Sequence, residues 1–176
     1  MNALQKTQLT PLNYSQTDCQ IGIIHVGIGA FHRAHQAAYI NTLLGDVDQQ
    51  NWGIMGINLR CEDAHISHLL AAQKHTYTLK TLSPENHSTY QEIGSILSTI
   101  DWSQNADAAA EAVNNESVHL ITMTVTEGGY YLSENGLLET HLPIITDAIN
   151  GSGSCIYAYL RASLNRRRLG CNLPID

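Results

Sequence analysis

Ile21-Gly-Ile-Ile-His-Val-Gly-Ile-Gly-Ala-Phe-His-Arg-Ala-His35 is the stretch that decides the fold. Ile21 to Val26 is a short apolar, β-branched run, the pattern of a strand buried on both faces. Gly27 and Gly29 then permit a tight turn and let a ligand approach bare backbone. From Ala30 onward good helix formers take over, with apolar residues at Ala30, Phe31, Ala34, Ala37, Ala38 and Leu44. Strand, Gly-x-Gly turn and helix start together make a place for a pyrophosphate. The first amides of the helix are unpaired and its dipole favours an anion there. The chain therefore opens as a nucleotide binder, with Val26, Gly27, Ile28 and Gly29, then Ala30, Phe31 and His32, as the candidate contacts.

Outward from this stretch the units alternate. A helix over Ala30–Leu44 can be capped by Gly45, Trp52–Leu59 reads as a second buried strand, and Asp63–Gln73 as a short helix. That is a β-α-β unit, expected to carry parallel strands. Thr76–Leu82 fits a third strand, followed by a turn at Pro84–Ser88. Tyr90–Ile100 is strand-like, with Gly94 as either a bulge or an end. Asp107–Val113 is alanine-rich and helical, and Val118–Val125 is again β-rich. Leu137–Asn150 is ambiguous, because Pro143 breaks a helix or starts one. Ser154–Arg168 is a helix with Gly170 as its stop, and Asn172–Asp176 resembles the opening of a further strand. Met1–Gln20 reads as an extended lead-in. The alternation predicts an α/β fold, a doubly wound and mostly parallel sheet of the Rossmann type spanning residues 21–176.

Composition bounds the function. The chain has 176 residues, of which 43 % are hydrophobic, enough for one packed core. A formal charge of −7 argues against nucleic acid as a partner, since phosphate binding needs a basic face. The basic run Arg166-Arg167-Arg168 falls at a helix end, where cations suit the dipole. Cys19, Cys61, Cys155 and Cys171 are scattered, which gives neither a zinc site nor a disulfide framework. No apolar stretch approaches the roughly 20 residues needed to span a bilayer, and no secretory segment precedes the first strand. A cytoplasmic location and no membrane partner are expected. His32 with His35, and His65 with His68, lie three apart, but nothing supplies a third ligand, so no metal is expected. No Gly-x-Ser-x-Gly elbow follows a strand either.

A full dinucleotide fingerprint would carry a third glycine where His32 stands, and an acidic residue about twenty positions on. The carboxylate candidates fall later, past the second strand, at Glu62 and Asp63. Asp63 can hold ribose hydroxyls, or serve merely as a first-turn residue of the next helix. Arg60 beside it can instead accept a 2′-phosphate; NAD is the expected cofactor, with NADP as the alternative. Arg33, in the first turn of the first helix, is either a pyrophosphate contact or an ordinary surface arginine.

Ile24–Ala37 resembles the signature of the long-chain polyol dehydrogenase family, the mannitol 2-dehydrogenase and fructuronate reductase type. In that family a Gly-x-Gly-x-Phe-x-Arg form replaces the third glycine. Three further segments agree in order: Trp52-Gly-Ile-Met-Gly-Ile-Asn-Leu-Arg60, Thr124-Val-Thr-Glu-Gly-Gly-Tyr130 and Arg166-Arg-Arg-Leu-Gly170. The resemblance implies an NAD-dependent oxidoreductase of carbohydrate metabolism, acting on the CH–OH group of a polyol or sugar acid. It also implies that Val125 and Thr126 line the cofactor near its nicotinamide side. Glu127 would stand at the rim of the active site; a solvated turn residue is its other reading. Family members are far longer, and their catalytic lysine, with its asparagine and histidine companions, falls beyond Asp176. Lys6, Lys74 and Lys80 match no such position, so no catalytic residue is assigned and the chain alone is expected to be inactive. The substrate would be met through the absent carboxyl-terminal domain, and an exposed sheet edge would invite self-association. Two other readings stand beside this one: a non-catalytic nucleotide-binding module, and another α/β nucleotide enzyme such as a methyltransferase.

Overall fold

The structure is a computed structural model that describes residues 9–170. Its centre is a four-stranded sheet built from β2 (Ile21–Val26), β3 (Gly53–Asn58), β6 (Ile96–Asp101) and β7 (Leu120–Met123). The spatial order is β6-β3-β2-β7, and every pair is parallel. Relabelled by order within this sheet, the strands run 3-2-1-4, the arrangement of dinucleotide-binding sheets.

Alternation along β2 explains why the sheet has a core on each face. Ile24 and Val26 point into one cluster, with Ile57 of β3 and with Trp102, Ala109 and Tyr159 from helices α4 (Trp102–Glu111) and α6 (Ile156–Gly170). Ile23 points the other way, into a cluster with Ala37, Ile54, Leu70 and Ile96 that includes α2 (Gln36–Leu43) and α3 (Ala64–Ala72). Helices thus cover both faces, as the sequence pattern predicts.

Three elements differ from the sequence reading, and one open alternative is decided. The helix expected over Ala30–Leu44 is broken: α1 (Ala30–Ala34) ends at His35, whose φ of −119° and ψ of −86° are not helical, and α2 restarts at Gln36. The strand read at Thr76–Leu82 does not join the parallel sheet. As β4 (Tyr77–Leu82) it forms an antiparallel hairpin with β5 (Ser88–Ile93), and β1 (Leu9–Thr10) adds to β5 as a third strand. Gly94 proves to be an end, separating β5 from β6. Its N–H donates to Asn41 Oδ1 (2.8 Å), and a Cβ there would stand 2.6 Å from the Leu12 side chain, so lead-in, α2 and hairpin meet at one point. The lead-in is accordingly packed from Leu9 onward, with Tyr14 donating to Asn41 Oδ1 at 2.7 Å.

Pro143 starts a helix: it occupies the first turn of α5 (Pro143–Asn150), where its missing N–H has no partner to lose. Gly151 closes α5 in the left-handed region at φ 91°. Helix α6 runs from Ile156 to Gly170, where the described residues end. The strand expected from Asn172 lies outside the described residues. Arg166 reaches across to Asp107 (2.5 Å) and Glu111 (3.5 Å) on α4, so this member of the basic run ties two helices together.

Candidate functional site

Parallel strands place their carboxyl ends along one side of the sheet, and a crevice opens where the strand order reverses. Here that point lies between β2 and β7, and a cleft of about 610 Å³ occupies it. The Gly27–Gly29 turn forms one wall. Gly27 has φ +97°, and a Cβ there would come within 2.7 Å of Thr124 O, so the strand ends meet only over a glycine. Gly29 precedes α1 with an extended backbone (φ −68°, ψ 179°), and a Cβ on it would meet nothing within 4 Å. One glycine is required by packing and the other leaves space open. That is a cradle shaped for a ligand lying against main chain, and it fits a diphosphate.

The opposite wall comes from the β3 end. Asn58, buried, donates from Nδ2 to Arg60 O (3.0 Å) and to Asp101 Oδ1 (2.9 Å), and Ser67 donates to the same Asp101 oxygen at 2.7 Å. This network fixes the loop that carries Arg60 and Asp63 into the cleft. Arg60 Nε donates to Asp63 Oδ2 at 2.8 Å and stands 3.7 Å from Glu62 Oε1. The Asp63 carboxylate beside it raises the Arg60 pKa, holding the guanidinium charged. The floor continues through Val125 and Thr126 after β7, then Tyr131 and the Ser154–Ile156 start of α6. Trp102 Nε1 donates to Gly153 O (2.8 Å), anchoring the loop that brings Ser154 there.

Among the sequence-predicted site residues, Val26, Gly27, Ile28, Gly29, Ala30 and Phe31 line the cleft, as do Arg60, Asp63, Val125 and Thr126. Three do not. His32 is turned into the protein, 1 % exposed and stacked on His25 with ring centroids 3.6 Å apart, because α1 points that face at the sheet. Arg33 folds back, its Nη1 donating to Ile28 O at 2.6 Å, so the guanidinium braces the turn from behind. Glu127 opens an exposed 3-10 turn while its neighbours Gly128 and Gly129 face the cleft. Sequence reasoning passed over Asn58, Tyr131 and Ser154–Ile156. Asn58 had a signal, a polar residue closing an apolar strand. Tyr131 gave none, since its left-handed conformation (φ 50°) depends on the turn around it.

Beneath the cleft, burial drives the His25 pKa down to about 4 and the His32 pKa down to about 3, the latter also opposed by its stacked neighbour. Both rings are therefore neutral at ordinary pH. The histidines that lie three apart in sequence are separated in role. His35 stacks on exposed Phe31, and His65 Nδ1 meets Glu62 O at 3.1 Å. Among the described residues no three His, Cys, Asp or Glu side chains gather as a metal site would need.

A parallel 3-2-1-4 sheet with a glycine cradle at its switch point defines a nucleotide-binding domain of the Rossmann type. Residues 21–175 match the family described as the mannitol dehydrogenase Rossmann domain, and the chain belongs to that family. It is 36 % identical over 169 residues to a mannitol 2-dehydrogenase of Phaeosphaeria nodorum, covering 94 % of this chain and 30 % of that protein. It is 38 % identical over 144 residues to a D-arabinitol 4-dehydrogenase of Klebsiella pneumoniae, covering 82 % and 31 %. Among solved structures, Pseudomonas fluorescens mannitol 2-dehydrogenase, in a ternary complex with NAD and D-mannitol, superposes with a TM-score of 0.85 at 32 % identity. That match covers 92 % of this chain and 33 % of the other. The chain thus spans about a third of the length of the relatives it matches.

Proposed function

We propose that residues 21–176 are the NAD-binding domain of an oxidoreductase acting on the CH–OH group of a polyol or sugar acid, with residues 1–20 as its lead-in. The reaction would pass a hydride between a secondary alcohol and NAD, giving a ketose or a keto sugar acid. The observation that carries this reading is the contrast at the turn. Gly27 is held at positive φ against Thr124 O, while Gly29 leaves open space above the first amides of α1. Bound there, NAD would supply the hydride-accepting ring. This chain's own part is to bind and orient it. The cradle takes the diphosphate, Asp63 and the Arg60 loop take the ribose end, and Val125 and Thr126 flank the other end.

The ion pair bears on cofactor choice. Arg60 is answered by Asp63 at 2.8 Å and Glu62 at 3.7 Å, so two carboxylates surround one guanidinium. That balance disfavours a 2′-phosphate and supports NAD over NADP. Proton transfer from the alcohol is assigned to no residue of this chain, so cofactor binding without turnover is expected of it in isolation. The polyol or sugar acid would be met by a further part of the full protein. The free Cys19, Cys61 and Cys155 suit a reducing compartment, and we place the protein in the cytoplasm.

Calorimetric titration tests the reading. NADH should bind more tightly than NADPH, and S-adenosylmethionine should not bind. A preference for S-adenosylmethionine, or no heat with either nicotinamide nucleotide, would sink it.

A further inference from the structure

We infer that the stacked His25–His32 pair, joined through Thr122 and Gln36, is a positioning device that holds the Gly27–Gly29 turn, the start of α1 and the end of β7 in one fixed arrangement. The inference rests on the cofactor reading above and adds to it the residues that set the shape of the cradle.

Both rings are almost fully buried, at 2 % and 1 % exposed, where a polar ring is costly unless its nitrogens are paired. The donors can be assigned from the acceptors. Gln36 Oε1 can only accept, and it faces both Thr122 Oγ1 and His32 Nδ1, each at 3.2 Å. Thr122 therefore spends its single proton on Gln36, and His32 donates from Nδ1. The Thr122 oxygen is then left to accept from His25 Nδ1–H at 2.7 Å. A neutral His25 so protonated has a bare Nε2, which accepts from Thr124 O–H at 3.0 Å. The chain runs from Thr124, which lines the cleft, through β2 and β7 to the first residue of α2, and comes back through His32 to α1.

The turn is included through its neighbours. Gly27 lies two residues past His25 and packs against Thr124, whose hydroxyl donates to His25 Nε2, and His32 belongs to the short helix that follows the turn. The break at His35 is what allows this, because it separates a five-residue helix from α2 and leaves its angle to be set by other contacts. Apolar side chains would fill the same volume at less cost, and His32 Nε2 is buried with no partner among the described residues. Imidazoles here are explained by the geometry they impose on four segments at once.

The test uses the 176-residue chain. Thr122→Val removes the central hydroxyl without altering a cleft-lining residue. NADH should bind about tenfold more weakly, the range expected when a buried hydrogen-bond partner is deleted. Thr122→Ser should restore affinity to within about threefold, which a requirement for β-branched packing alone would not do. Gln36→Met, on the outer side of the relay, is the second variant should Thr122→Val unfold, and it too should weaken NADH binding. Long-range proton–nitrogen NMR should find His25 and His32 neutral and protonated on Nδ1. Wild-type affinity in a folded Thr122→Val or Gln36→Met protein, or a proton on His25 Nε2, overturns the inference while leaving the cofactor reading intact. Failure of the unaltered chain to bind NADH overturns the cofactor reading, and the positioning role with it.

Discussion

At the scale of single residues, the two glycines of the cradle answer to different forces. At Gly27 the backbone occupies φ +97° and Thr124 O would stand 2.7 Å from any Cβ, so Gly27→Ala meets both strain and collision. Thermal or urea unfolding of that variant should register a loss of about 1–3 kcal/mol, and NADH binding should disappear. Gly29→Ala meets no atom within 4 Å. Its unfolding should stay within about 0.5 kcal/mol of the parent, while NADH binding weakens because a methyl group stands where a ligand approaches. Equal destabilisation by the two substitutions would contradict the division of roles. These glycines were legible in the sequence because a turn between an apolar run and a helix start has few alternatives. Arg33, Glu127 and His32 were not. The direction of a side chain on a one-turn helix or a 3-10 turn depends on what packs behind it, and no local pattern carries that. The pairing of Asp63 with Arg60 at 2.8 Å was likewise hidden, because it depends on the turn between them.

At the scale of elements, the hairpin β4–β5 and the broken helix α1–α2 belong together. Tyr77 of β4 donates its hydroxyl proton to Arg33 O at 2.6 Å, the last turn of α1, so the inserted hairpin braces the helix that opens the cleft. Burial pushes the Tyr77 pKa up, so this hydroxyl remains a donor at any working pH. Tyr77→Phe should lower stability by about 1 kcal/mol in urea titration, and an unchanged midpoint would show that the brace is idle. Sequence pattern found the two hairpin strands but could not say which sheet would take them, because alternation fixes a face and not a neighbour. Nor could it find the break at His35, since good helix formers continue on both sides. The histidine pair gives this level its pH dependence. The folded-state values, about 4 for His25 and about 3 for His32, lie below the unfolded value of 6.5. Unfolded chain therefore binds more protons between these limits, and stability is full above pH 6.5 and falls as the pH drops toward 4. The slope approaches about 1.4 kcal/mol per pH unit for each ring. Of the elements packed around the pair, α1 adds Arg33, the break after it His35, and α2 adds Tyr39, while β3 and β7 carry no titratable side chain. No carboxylate on these elements answers a protonated ring. His25→Gln with His32→Gln should flatten the acid limb between pH 6 and 4, read as urea midpoints across that range.

At the scale of the whole molecule, the parallel sheet has two edges of unequal character. Strand β6 shows no exposed large apolar side chain, whereas β7 presents Leu120 at 44 % and Met123 at 37 % exposure, and it pairs only with β2 among the described strands. An edge of that kind is a template for another strand, and nothing about β7 blunts it: it has no lysine, proline or bulge. The sheet order placed β7 here, and no sequence pattern could, because Val118–Val125 looks as buried as β2. Opposing the edge is the formal charge of −7, which makes copies repel one another at low salt. The 176-residue chain should therefore associate with itself as concentration rises, and more strongly when salt screens the charge. Leu120→Lys adds an edge charge on a half-exposed site and should hold the chain monomeric in sedimentation velocity without changing its circular dichroism. A monomer at every concentration and salt, for parent and variant alike, would mean that the open edge is protected by something other than its side chains.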